Sequence, residues 1–174
     1  INLMKFRQED GTFDAPRFQA ACRLFFIAQE ILVDHASYPT EDIARNSHLF
    51  RPLGLGYANL GSLLMSEGMP YDSEGGYSVC GAITALLHGT ANLTSAEMAA
   101  VVGPFEGFHK NREPMLRVMQ MHRDAVEKIN DAGGVLGRIP QDRLYDRGLR
   151  VLNMYPQPNS TATESQGYNY GSQD

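Results

Sequence analysis

The apolar residues of this chain recur mostly at the spacing of an amphipathic helix. The first such run lies between Asp14 and Pro39, with Asp14 placed to cap the helix and Pro16 in its first turn. Thr40 can cap a second, short helix that runs to about His48. The pattern therefore predicts a long, broadly buried helix followed by a short one.

The same spacing predicts four more helices farther along the chain. Two are the short segment Leu60–Met65 and a third long helix that Asp72 or Ser73 caps and that ends near Gly89. The others are a short helix opened by the capping box Thr94-Ser-Ala-Glu97, and one announced by Asn111 and Pro114 that ends before Gly133.

One segment breaks the helical pattern. Residues 53–58, Leu-Gly-Leu-Gly-Tyr-Ala, follow Pro52 and are apolar, short and interrupted by glycine, which favours a buried strand. Two glycines in a strand require a local reason, either a positive φ or another group packed against the backbone. A lone strand also needs partners for its backbone, so the sequence predicts a helix-rich α/β chain whose partner strands come from elsewhere.

Charge and hydropathy exclude several functional classes. The chain has 174 residues, with 15 Lys and Arg against 20 Asp and Glu, and a formal net charge of -5. Because basic residues form no cluster, nucleic acid is not an expected partner. The longest strongly apolar run, Leu24–Ile27, is far too short to span a membrane. We therefore expect a cytoplasmic protein without a membrane partner, and the start at Ile1 without Met indicates an excised piece.

No residue pattern forms a complete active site. Cys22 and Cys80 lie in predicted helices without a C-x-x-C motif, which favours buried reduced thiols. The five histidines are too widely spaced for a metal pair on one helix, so no metal site is expected. Glu30 and Asp34 are four residues apart and can share a helix face, where ion pairing is favoured over acid–base chemistry.

The glycine-rich segment offers three interpretations. Gly54 and Gly56 begin like a dinucleotide-binding fingerprint, but Asn59 stands where its third glycine should be and Gly61 comes two residues late. The glycines can therefore bind phosphate, allow close packing, or lie in a loop that borders a substrate or cofactor. Close packing is the favoured interpretation.

Several ordered blocks resemble the adenosylcobalamin-dependent, or class II, ribonucleotide reductases over about residues 1–130. The blocks are Ile1–Phe6, Ala28–Asp34 with Tyr38–Thr40, Arg51–Gly61 with Leu63–Met65, Pro70–Ser73, Ser95–Glu97 and Gly103–Phe105. The resemblance implies a fragment of a ten-stranded α/β barrel, with one barrel strand near residues 53–58 surrounded by helices.

The family's reaction replaces the ribose 2'-hydroxyl with hydrogen, and adenosylcobalamin initiates the thiyl radical that begins it. The resemblance implies that the radical cysteine and a reducing cysteine precede Ile1, so the chain has no catalytic residue of its own. Gly54, Gly56 and Asn59 are the residues expected nearest the nucleotide or cobalamin. The implied partners are the ribonucleotide substrate and the remainder of the reductase chain or a complementary subunit.

The sequence also predicts how the chain divides, and it leaves one alternative function. Residues 1–132 are predicted to form the partial barrel segment, whereas residues 133–174 diverge and form a loop-rich tail. The alternative function is a non-catalytic helical interaction or regulatory module derived from a reductase.

Overall fold

The structure, a computed structural model, describes residues 1–131 as a set of helices around an aromatic and aliphatic core. A short 3-10 helix, Leu3–Lys5, is followed by five α-helices: α1 Ala15–His35, α2 Glu41–Phe50, α3 Leu60–Ser66, α4 Glu74–Val102 and α5 Phe108–Asp131. Helix α4 packs against α1 on one side and α5 on another, and α2 packs against α1. The predicted tail at 133–174 lies outside the described residues.

Local capping fixes where three of these helices begin. The Asp14 carboxylate accepts from the Arg17 backbone N–H at 3.0 Å, and the Thr40 hydroxyl accepts from Ile43 at 3.3 Å. The Ser73 hydroxyl accepts from the Gly76 N–H at 3.0 Å. Each bond satisfies a backbone donor that the first turn leaves free, and it confirms the predicted starts of α1, α2 and α4.

The core begins with three aromatic rings near the N-terminus. Phe18 is fully buried, with its ring centroid 5.2 Å from that of Phe6 and 5.4 Å from that of Phe13 in edge-on arrangements. Aliphatic residues continue this core along α3 and α4: Leu63, Leu64, Val79, Ile83, Leu86 and Leu87. The long helices α1 and α4 are thus held by apolar burial, the main favourable term in folding.

Helix α4 is longer than predicted. The sequence predicted an end near Gly89 and a new capped start at Thr94, but both residues are buried within one continuous helix. The Thr90 hydroxyl donates to the Leu86 carbonyl, and the Thr94 hydroxyl to the Thr90 carbonyl, each at 2.7 Å. Because the helix's own carbonyls satisfy Thr94, its side chain does not act as a cap.

The predicted α/β fold is wrong for residues 1–131, because the structure has no β-strand in them. Backbone pairing is limited to isolated bridges, a parallel one between Asn2 and Ala58 and an antiparallel one between Arg7 and Phe13. Residues 53–58 form neither helix nor strand, and within this range their backbone pairs only with residues 1–3. A strand requires a ladder of neighbours, and the described residues supply a single rung, so a barrel fragment is not seen here.

Candidate functional site

The segment 53–58, between α2 and α3, has one covered and one open side. Leu53, Leu55 and Tyr57 are half-buried, whereas the intervening Gly54, Gly56 and Ala58 are exposed. A Cβ atom added to Gly54 or Gly56 would meet nothing within 4 Å in the described residues, and neither glycine has a positive φ. Neither predicted reason for these glycines, left-handed backbone or close packing, is therefore present within residues 1–131.

Hydrogen bonds hold this segment against α1 and the N-terminal residues. The Gln29 side-chain amide donates to the Gly54 carbonyl, and the Ile1 backbone nitrogen donates to the Gly56 carbonyl at 2.6 Å. Ala58 donates its N–H to Ile1 at 2.8 Å and accepts from the Leu3 N–H at 3.1 Å. The backbone position is thus fixed while its glycine-lined side stays open.

Asn59 ends the segment in a strained conformation. Its φ of 70° lies in the left-handed region, which asparagine tolerates better than most residues. Its side chain makes no cap for α3; instead the Nδ2 atom donates to the Asn2 Oδ1 at 2.8 Å. The structure therefore brings Gly54, Gly56 and Asn59 together on one exposed stretch, beside Asn2, without enclosing them.

Arg51 anchors the start of the segment to α1. Its guanidinium donates to both carboxylate oxygens of Asp34, at 2.7 and 3.1 Å, and also to the Glu30 carboxylate and, at 3.1 Å, to the Glu30 carbonyl. The hydrogen bond from Arg51 lowers the pKa of Asp34. The predicted ion-paired role of Glu30 and Asp34 is confirmed, and it rests on an arginine that spacing within α1 could not identify.

A second polar cluster links the segment to α4. The Tyr57 hydroxyl lies 2.7 Å from the Thr84 hydroxyl and 3.4 Å from the Cys80 thiol. Burial, and next the hydrogen bond to Cys80, raises the pKa of Tyr57. The i, i+4 spacing of Cys80 and Thr84 places both on one helix face, and it is the sequence signal that could have predicted such a cluster.

The two cysteines are free thiols with different surroundings. Cys22 of α1 is fully buried, and burial raises the pKa of its thiol to about 12. Cys80 of α4 is half-buried beside Tyr57. The predicted placement of both in helices is confirmed, whereas the predicted burial holds for Cys22 and not for Cys80. At Cys22 the thiolate needed for nucleophilic or redox chemistry is suppressed.

Two histidines that lie 34 residues apart in the sequence meet between α4 and α5. His88 Nε2 and His122 Nδ1 lie 2.5 Å apart. Burial, and next the charge of His122, lowers the pKa of His88. Among the described residues no group of three or more His, Cys, Asp or Glu is placed to hold a metal ion. No helix within this range is long and apolar enough to cross a membrane.

Comparison with known proteins places this chain in a family. A family model described as the ribonucleotide reductase barrel domain matches residues 1–161. The chain is 63% identical over 163 residues to a vitamin B12-dependent ribonucleotide reductase of Rhodopirellula baltica, covering 94% of this chain and 16% of that protein.

Two further relatives agree. A vitamin B12-dependent ribonucleotide reductase of Streptomyces coelicolor is 49% identical over 132 residues, covering 74% of this chain and 14% of that protein. A ribonucleoside-diphosphate reductase large chain of Cryptosporidium parvum is 26% identical over 172 residues, covering 97% of this chain and 21% of that protein. The chain thus spans about a fifth or less of the length of these relatives. It belongs to the ribonucleotide reductase family, within the region that the barrel-domain model describes.

Proposed function

We propose that this chain is a segment of the large catalytic chain of an adenosylcobalamin-dependent ribonucleotide reductase, which converts ribonucleotides to deoxyribonucleotides in the cytoplasm. The observation that carries the proposal is the 63% identity to a vitamin B12-dependent reductase over 94% of the chain. In the complete enzyme the cofactor supplies the radical that starts the reaction.

We propose that the cysteines of the reaction lie outside this segment. Cys22 is enclosed by core residues, so a ribonucleotide cannot touch it, and its raised pKa disfavours thiol exchange. Cys80 lies against the Tyr57 hydroxyl and has no disulfide partner. These surroundings support packing and positioning roles for both residues.

The described residues do not by themselves fit an enclosed cobalamin site. A radical cofactor must be shielded from water, whereas the side of the segment that carries Gly54 and Gly56 is open. We therefore assign the cofactor to the complete enzyme and derive no step through it here. The part we propose for this chain is to hold Gly54, Gly56 and Asn59 near the nucleotide or cofactor, by means of Arg51 and Gln29.

The test is a chimeric reductase, made by replacing the matched segment of the Rhodopirellula baltica enzyme with this chain. The chimera should form deoxyribonucleotides when adenosylcobalamin, a dithiol and ribonucleoside di- or triphosphates are supplied. The matched control, in which the segment is deleted, should form none, and neither should the isolated chain. A folded chimera without activity would instead favour the alternative, a non-catalytic helical interaction or regulatory module.

A further inference from the structure

Helix α1 carries a second apolar face that nothing in the described residues covers. Leu24, Phe25, Ala28, Ile31 and Leu32 follow the spacing i, i+1, i+4, i+7 and i+8, which places them on one side of the helix. We call this set the outer face of α1. Its four large side chains are 65%, 51%, 54% and 60% exposed in chain order.

A second, neighbouring side of α1 is already buried. Phe18, Cys22 and Val33 lie on it and have 8% exposure or less. A helix that is apolar on two sides is typical of the interior of a larger protein, whereas a surface helix presents a polar side to water. The outer face therefore lacks the polar side chains that a solvent-facing side of a helix carries.

Three charged residues of α1 pair with other elements and lie off the outer face. Arg23 pairs with Glu97 of α4, and Glu30 and Asp34 pair with Arg51. They form a separate edge of the helix, and the five residues of the outer face between Leu24 and Leu32 are all uncharged. Exposed apolar patches of this kind mark sites of contact with other protein surface.

We propose that the outer face of α1 docks against the remainder of the reductase polypeptide, through an apolar surface that carries no charge. This inference rests on the proposed function. The occupant follows from length. The matched region covers 94% of this chain but only 16% of the Rhodopirellula baltica relative, so most of that protein is available to cover the face.

The test uses the chimeric reductase described above, with Leu32→Cys as the probe. Native chimera is treated with a maleimide, and the labelled peptides are quantified by mass spectrometry so that other cysteines do not interfere. Arg45→Cys on α2 is the control, because the Arg45 side chain is 74% exposed. We expect Leu32→Cys to react at least about tenfold more slowly than Arg45→Cys, and equally fast after denaturation.

Four outcomes separate the possible occupants. Equal native reaction at the two positions overturns the inference, even when the unsubstituted chimera is active and the proposed function stands. Protection in a folded but inactive chimera supports the docking surface and contradicts the proposed function. Protection that appears only in a concentration-dependent dimer indicates a second copy as the occupant and overturns the inference. Protection that is lost when residues 132–174 are deleted indicates those residues as the occupant and also overturns the inference.

A measurement on the natural relative covers the case in which the chimera does not fold. Hydroxyl-radical footprinting of the Rhodopirellula baltica enzyme reports the solvent exposure of its peptide aligned with residues 24–32. Oxidation much slower than that of surface peptides supports the docking surface. Oxidation at the surface rate overturns it.

Discussion

Replacing Gly76 with alanine tests how closely the first turn of α4 packs against the preceding loop. A Cβ atom at Gly76 would lie 2.7 Å from the Tyr71 carbonyl oxygen and 2.9 Å from the Pro70 carbonyl oxygen. Both contacts are with backbone, so no side-chain rotation can relieve them. The N–H of Gly76 also donates to the Ser73 cap, which a shift of the turn would weaken.

Two opposing terms set the size of the effect. Alanine favours a helix over glycine by about 1 kcal/mol. Backbone shifts forced by an extra methyl group cost about 1–3 kcal/mol, and a lost N-cap costs about 1 kcal/mol more. The steric terms exceed the propensity gain, so we expect Gly76→Ala to lower the free energy of unfolding by about 1–3 kcal/mol.

Gly61 of α3 supplies the matched control. It also lies in the first turn of a helix, but among residues 1–131 a Cβ atom there would meet only the Tyr71 ring, at an ordinary contact distance of 3.9 Å. Gly61→Ala should therefore be neutral or stabilise the chain by up to about 1 kcal/mol. Urea denaturation followed by far-UV circular dichroism compares the two variants. Equal stability of Gly76→Ala and Gly61→Ala would refute the close approach of the Pro70–Tyr71 carbonyls to α4.

Two further predictions concern titratable groups whose pKa values burial shifts. Cys22 should resist maleimide in the native chain at about pH 8, because burial both excludes the reagent and raises the pKa of the thiol, and peptide-resolved labelling at the denatured rate would contradict this. The pKa of His88 is lowered in the folded chain. As pH falls through about 6.5, the unfolded state therefore binds a proton at His88 more readily than the folded state does, and the free energy of unfolding declines on acidification. Denaturation at about pH 5 and about pH 7.5 measures that decline, and His88→Gln should make it smaller; an unchanged decline would assign it to other groups.

Features set by neighbours in sequence could be predicted, and features set by distant residues could not. The caps Asp14, Thr40 and Ser73 act on N–H groups three residues away, so their positions follow from local spacing. The end of α4 near Gly89 was predicted wrongly because that glycine is buried in packing against other helices, which a local pattern does not reveal. Packing overrides the intrinsic cost of glycine in a helix.

The candidate site divides in the same way. The shared helix face of Glu30 and Asp34 predicted that both take part in ion pairs. Their partner Arg51, however, belongs to a different element, and its backbone conformation at φ 44° has no local sequence signal. Likewise His88 and His122 are separated by 34 residues and meet only because α4 and α5 pack together. Residues joined by tertiary packing were not visible as clusters in the sequence.

The segment 53–58 shows how a strand-like pattern of residues can lead to a wrong fold. Its alternation of half-buried and exposed residues is that of a strand, yet the described residues give it one parallel bridge and no ladder. Its glycines face open space, and the Gln29 Oε1 atom beside it is buried without a hydrogen-bond partner among the described residues. A buried acceptor without a donor is costly, as is the exposed outer face of α1. Both costs would be removed by additional protein surface, which agrees with a segment that matches only 16% of a closely similar reductase.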